Sequence, residues 1–159
     1  MLDRETLYSA FDRLGRDLAD RGLFGEIAVH GGSAIMLQFA WRRGTEDVVA
    51  VVRQRYDEDA LRPSVSRVAQ DLGLPPGWLN DAVGMVTLLV EDESLFDTCG
   101  TFPSGNDPGL RVVLDRPHDL LAMKRKALSN VARGDRDLRD ARALASHLGI
   151  GDADSWRSL

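Results

Sequence analysis

A strand, a glycine turn, a helix and a second strand follow one another closely between residues 26 and 52. The segment EIAVH has the composition of a short buried strand, and Gly31, Gly32 and Ser33 come directly after it. The following residues, AIMLQFAW, are apolar nearly all round, which is typical of a buried helix. Asp47–Val52 is predicted to form the next strand, buried on both faces. This order predicts a sheet with helices packed on it.

The rest of the chain extends this pattern. Leu7, Phe11, Leu14 and Leu18 recur at helical spacing within Asp3–Asp20. The remaining predictions are a helix at 63–72, strands at 85–90 and 110–114, a loop at 99–109, and helices at 117–132 and 135–148. We therefore predict an α/β (α+β) protein with a small mixed sheet, flanking helices and a C-terminal antiparallel helix pair. It would form one domain over residues 1–159, with a sheet-containing core at 1–115 and the helix pair at 116–150.

Charge and cysteine content exclude several classes of protein. A net charge of -5 argues against a general nucleic-acid binder, which would present a basic face. Cys99 is the only cysteine, so an internal disulfide is impossible and a reducing cytoplasm is the expected location. No apolar run approaches the roughly 20 residues that span a bilayer, and the N-terminus lacks the pattern of a signal peptide. We expect a cytoplasmic protein without membrane contacts.

The glycine turn and Asp47 are the first candidates for a binding site. Glycines let backbone N–H groups approach a ligand, and a helix N-terminus favours anions, so Ser33 would be well placed to touch a phosphate. Thirteen residues separate Ser33 from Asp47, enough for a helix and a return strand that bring them to neighbouring strand ends. Carboxylates at positions 47 and 49 would share one face and hold Mg²⁺ ions on a nucleoside triphosphate. On these residues alone, a tight connection is the commoner explanation of a Gly-Gly turn.

Gly31-Gly32-Ser33 followed by the segment RGTED (43–47) resembles the nucleotidyltransferase fold related to DNA polymerase β. In that fold a Gly-Ser turn, a helix and an Asp-x-Asp strand occur in this order. More narrowly, the chain resembles an uncharacterised bacterial nucleotidyltransferase-like family related to AbiE-type toxins of toxin–antitoxin systems. The stretches that carry the narrower resemblance are LGLPPGWLND (72–81), LLAMKRKAL (120–128) and RDLRD (136–140). The resemblance covers residues 25–149 in separate blocks.

The resemblance implies a role for each matching residue. The Gly31–Ser33 turn would bind triphosphate oxygens, Asp47 would ligate Mg²⁺, and Lys124 would bind the nucleotide and neutralise its phosphate charge. Asp137 would orient Lys124 or assist the acceptor hydroxyl. The implied activity is transfer of a nucleoside monophosphate from a nucleoside triphosphate to an RNA or protein acceptor, as a toxin would do. The implied partner is a cognate antitoxin or toxin protein.

Val49 departs from the family pattern, because Asp is expected at this second metal-ligand position. A valine cannot ligate a metal, and Glu46 points to the opposite face of the strand. Loss of a metal ligand reduces a rate on the order of 10³-fold or more. We therefore expect weak or absent Mg²⁺ binding and catalysis with residual nucleotide binding. The alternatives are an inactive variant of a toxic enzyme, a one-metal enzyme, and a non-catalytic protein-binding module that exposes an apolar patch.

Local context adds three expectations about single side chains. Lys124 lies among apolar residues, which predicts a buried or half-buried lysine with an anionic partner. Asp137 and Asp140 lie among four arginines, a mixture that by itself is typical of a solvated helix face. Trp78 is expected to be a core anchor rather than part of a base pocket.

Overall fold

The computed structural model describes residues 1–53, 57–80, 95–129 and 134–151. Helices and strands alternate along most of this part of the chain, and the mixed α and β composition predicted from the sequence is confirmed. The elements are α1 (Arg4–Asp20), β1 (Gly25–His30), α2 (Gly31–Gln38), β2 (Val48–Val52), α3 (Glu58–Leu72), β3 (Leu79–Asn80), β4 (Phe96–Phe102), β5 (Leu110–Asp115), α4 (Pro117–Leu128) and α5 (Gly134–His147). The chain divides into two compact units, Met1–Leu114 and Asp115–Leu159.

The first unit is built on a mixed sheet with strand order β3-β2-β1-β5-β4. β1 is antiparallel to β2, with His30 opposite Val49, and parallel to β5, with Ile27 opposite Val112. β2 is parallel to β3, with Val49 opposite Asn80. All six residues of β1 are buried, as a central strand requires.

Two glycines let α1 lie close to the β4–β5 connection. A Cβ on Gly15 would overlap the main-chain carbonyl of Phe102, and one on Gly109 would overlap the carbonyl of Gly15. The apolar face of α1 that the sequence predicts is buried, including Leu7 and Phe11. Helix packing in this unit therefore depends on both the apolar stripe and the absence of two side chains.

Trp78 anchors the turn that enters β3. Its side chain is fully buried, its ring centroid lies 6.5 Å from that of Phe11, and its Nε1 donates to Val65 O at 3.2 Å. The prediction of a core anchor is confirmed. A satisfied indole N–H removes the usual cost of burying this side chain.

α2 and α3 differ from their predicted extents. α2 ends at Gln38, because Phe39 is extended and the guanidinium of Arg4 donates to the carbonyls of Met36 and Phe39. α3 begins at Glu58, five residues before the predicted start. The Asp57 carboxylate accepts from Ala60 N at 3.2 Å and so caps the helix upstream of Pro63.

The loop predicted at 99–109 is wrong in its first part, where residues 99–102 belong to β4. Threonine and phenylalanine favour strands, and of the residues that suggested a loop only Gly100 precedes Phe102, whereas Pro103, Gly105 and Asn106 follow it. Gly109 N donates to Phe102 O at 2.9 Å and closes the connection to β5. The strand predicted at 85–90 lies outside the described residues.

The second unit contains the helix pair α4 and α5. Pro117 occupies the first turn of α4, as predicted, and leucines of α4 are buried together with Ala141 and Leu144 of α5. Lys124, near the C-terminal end of α4, contacts Asp137 in the first turn of α5, so the two helices meet across their short connection. No helix within the described residues has the length and apolar character needed to cross a membrane.

Candidate functional site

The turn from β1 into α2 has a glycine requirement and a nearby cation. Gly31 has φ +64°, a conformation that favours glycine, and begins α2 without a side-chain cap on its N-terminal N–H groups. A Cβ on Gly32 would overlap the guanidinium of Arg42, so this arginine lies directly against the turn. The N-terminal N–H groups of a helix and a guanidinium both favour an anion.

Ser33 is 1% exposed, and its hydroxyl donates to His30 O at 3.0 Å. In this position the side chain stabilises the turn. It would have to exchange that bond for one to a phosphate oxygen before serving as a ligand donor. The main-chain N–H groups in the first turn of a helix have no acceptor within that helix.

Asp47 lies at the neighbouring strand end. Because His30 pairs with Val49, the residues that follow His30 lie beside those that precede Val48. The Asp47 side chain is half-buried, and its Oδ2 accepts from Asn80 Nδ2 at 2.6 Å. The glycine turn and Asp47 therefore lie at the same end of the β1–β2 strand pair.

Val49 is half-buried and lies opposite both His30 of β1 and Asn80 of β3. Its methyl groups supply no ligand atom at the position where an Asp-x-Asp strand has its second carboxylate. Glu46, the other nearby carboxylate, is exposed. Sequence reasoning did not identify Asn80 as a neighbour of Asp47, since the contact depends on the pairing of β2 with β3.

Lys124, in the second unit, is 8% exposed and lies between two carboxylates. Its Nζ is 2.5 Å from Asp137 Oδ1 and 3.0 Å from Asp140 Oδ2. The prediction of a buried lysine with an anionic partner is confirmed. Asp140 is 5% exposed, so the interpretation of this segment as a solvated face is wrong for that residue. Helix packing turns Asp140 inward. The neighbouring arginines in the sequence had instead suggested that this residue lies on a solvated face.

A row of charged side chains crosses the centre of the sheet, with Glu26 and Arg53 buried and the Arg111 side chain 35% exposed, and sequence reasoning missed it. Glu26 of β1 lies opposite Arg111 of β5, and its main-chain O accepts from Arg53 N. The Glu26 carboxylate is 3.2 Å from Arg53 Nε and 3.4 Å from Arg111 Nη1. The guanidinium of Arg53 also lies 4.7 Å from the ring centroid of Phe96. A carboxylate inside an otherwise apolar strand was the available signal.

A small cavity lies beside Arg42. It has a volume of about 280 Å³ and is lined by Asp3, Arg4, Glu5, Ala40, Arg42 and Arg43. A larger groove of about 500 Å³ lies along α1 and the end of β4, and none of the predicted site residues lines it. Arg42, whose guanidinium lies against Gly32, thus also lines the smaller cavity.

Comparisons with protein-family models, with characterised proteins and with solved structures find no match to this chain.

Proposed function

We propose that this chain is a nucleotidyltransferase-like protein whose first unit binds the phosphates of a nucleoside triphosphate at the Gly31–Ser33 turn. The observation that carries the proposal is the strand register that sets this turn beside Asp47, with Arg42 against Gly32. Main-chain donors and a guanidinium suit phosphate, and a neighbouring carboxylate suits the cation that accompanies it.

Mg²⁺ fits this arrangement in part. Asp47 would hold the ion, and water with substrate oxygens would fill the remaining positions, as is common for this metal. When bound, Mg²⁺ would neutralise charge on the phosphates.

The ancestral reaction is transfer of a nucleoside monophosphate to an RNA or protein acceptor. The acceptor hydroxyl oxygen bonds to the α-phosphorus as the bond to the leaving pyrophosphate breaks, and the hydroxyl proton passes to a base. Positioning and charge neutralisation dominate such reactions. With Val49 in place of a carboxylate, we propose that transfer is weakened or lost while nucleotide binding persists. A toxin of a toxin–antitoxin system would have this ancestry.

The test measures nucleotide binding and transfer separately. Each nucleoside triphosphate is titrated in Mg²⁺ and in chelator, and label transfer is followed for the unaltered chain and Val49→Asp. We expect Arg42→Ala to weaken binding about tenfold, whereas the exposed control Arg62→Ala leaves it unchanged. Faster transfer by Val49→Asp supports the defective-site argument, and equal rates contradict it. Absence of nucleotide binding in both the unaltered protein and Val49→Asp overturns the proposal.

A protein-binding role within a toxin–antitoxin pair is the second candidate. Trp41 is 42% exposed and stacks on Phe39 with ring centroids 4.2 Å apart. Exposed, rigid aromatic side chains are frequent anchors of protein interfaces. This candidate predicts a partner that co-purifies from the native host, is lost with Trp41→Ala, and is unaffected by Arg42→Ala. Nucleotide affinity without such a partner contradicts it.

A further inference from the structure

The side-chain amide of Asn80 lies between two oxygen atoms from different parts of the first unit. Its Nδ2 is 2.6 Å from Asp47 Oδ2 and 3.2 Å from Gly77 O. The nitrogen of the amide faces these two oxygens, and a half-turn of the amide would bring its own oxygen beside the carboxylate and the main-chain carbonyl. Oxygen donors of these three kinds are the ones that Mg²⁺, Mn²⁺ and Ca²⁺ take from proteins.

Main-chain and side-chain contacts hold the backbone on both sides of this point. Val48 N donates to Trp78 O at 2.6 Å, and Val49 pairs with Asn80, so β3 is bound to β2 directly beside Asp47. The buried indole of Trp78 fixes the turn between Gly77 and Asn80. Pairing of two strands therefore sets the distance between Asp47 and Asn80.

The point is also open to solvent. Asp47 and Asn80 are half-buried and Gly77 is exposed, and among the described residues only Gly77 and its two chain neighbours lie within 4 Å of a Cβ built on Gly77. Water and ligand oxygens could therefore complete a coordination shell there. A deeply buried hydrogen bond between Asp47 and Asn80 would leave no such room.

The geometry points to a divalent-cation site formed by Asp47, the Asn80 side-chain oxygen and Gly77 O. Rotation of the Asn80 amide about its terminal side-chain bond exchanges Nδ2 for Oδ1 and turns the oxygen towards Asp47. The second protein ligand thus comes from β3 and not from position 49. This inference rests on the proposed role of Asp47 as a cation ligand and specifies the missing half of that site.

The test is Mn²⁺ binding without nucleotide, measured by electron paramagnetic resonance and calorimetry on the full chain. We expect one saturable site in the unaltered protein and binding about tenfold weaker in Asn80→Leu. Asn80→Asp adds charge to an oxygen ligand and is expected to tighten binding about tenfold. The exposed Asn106→Leu is the matched control and should bind Mn²⁺ as the unaltered chain does.

Thermal unfolding of Asn80→Asp gives a second readout. Two adjacent carboxylates repel each other, so this variant should unfold at a lower temperature in chelator and recover with Mn²⁺. It also keeps the test decisive if Asn80→Leu does not fold. Equal Mn²⁺ affinity in the unaltered chain and Asn80→Leu, or no saturable site, overturns the inference. Mn²⁺ binding without nucleotide binding supports the cation site and overturns the proposed function instead.

Discussion

Position 49 has consequences beyond the loss of one carboxylate. Val49 lies opposite Asn80, so an aspartate there would face an amide that already donates to Asp47. In Val49→Asp the new carboxylate could therefore accept a hydrogen bond from Asn80 as well as ligate a metal ion. The rate gained by this variant measures the two effects together, which is why Asn80 needs variants of its own.

Cys99 is expected to react slowly. Burial raises the pKa of the thiol, and a hydrogen bond with Tyr8, whose hydroxyl lies 4.0 Å from the sulfur, lowers it without offsetting the burial. Because the thiolate is the nucleophile, alkylation by iodoacetamide at pH 8 should be at least about tenfold slower in the folded chain than in urea. Rates followed by mass spectrometry check this.

The pH dependence of that reaction has a definite sign. A raised pKa in the folded state means that the alkylation rate rises at a higher pH than in the unfolded chain. Stability contributed by the neutral thiol is present below its unfolded pKa and is lost as the pH rises through the folded pKa. Equal alkylation profiles for the folded and unfolded chains would contradict the burial of Cys99.

The helix pair of the second unit is held partly by its buried lysine. Lys124→Met would leave Asp137 and Asp140 close together without the ammonium between them, and we expect it to destabilise folding by about 3 kcal/mol. Urea unfolding measures the change. The chain's other lysine, Lys126, is exposed on the same helix, so Lys126→Met should change stability by less than about 0.5 kcal/mol. Similar effects of both variants would argue against a stabilising role for the contacts of Lys124 with Asp137 and Asp140.

The contact of α1 with the β4–β5 connection depends on Gly15. Glycine to alanine in a helix ordinarily stabilises by roughly 0.5–1 kcal/mol through propensity. At this position the added methyl group would overlap the Phe102 carbonyl, so we expect Gly15→Ala to destabilise by about 2 kcal/mol or more. Thermal and urea unfolding decide the sign. The exposed Ser9→Ala on the same helix is the control and should be neutral or slightly stabilising.

At the scale of the whole molecule, charge constrains the acceptor in the proposed reaction. The chain carries a net charge of -5, so it would not attract RNA over long distances. Of its 20 basic residues only Lys124 and Lys126 are lysines, and the rest are arginines, which bind phosphate through paired N–H groups. An RNA acceptor would therefore need a local arginine cluster, whereas a protein acceptor would not.

Local patterns were sufficient to predict much of the fold. The apolar stripe of α1, the apolar strands β1 and β2, the glycine turn between them and the buried Lys124 all follow from residues that are close in sequence. Helical and strand periodicity, glycine conformation and the apolar neighbours of a lysine are properties of short segments. The sequence by itself therefore determined these elements and the number of residues between Ser33 and Asp47.

Tertiary structure decided which side chains meet. The Asp47–Asn80 bond joins residues 33 positions apart through β2–β3 pairing, and the Glu26 row requires the register of three strands. Asp140 is buried only because α5 packs on α4 with that face inward. Register and packing depend on the free energy of distant contacts, which no local pattern contains. For that reason the sequence identified Val49 as a missing carboxylate, and only the fold placed the side-chain amide of Asn80 beside Asp47.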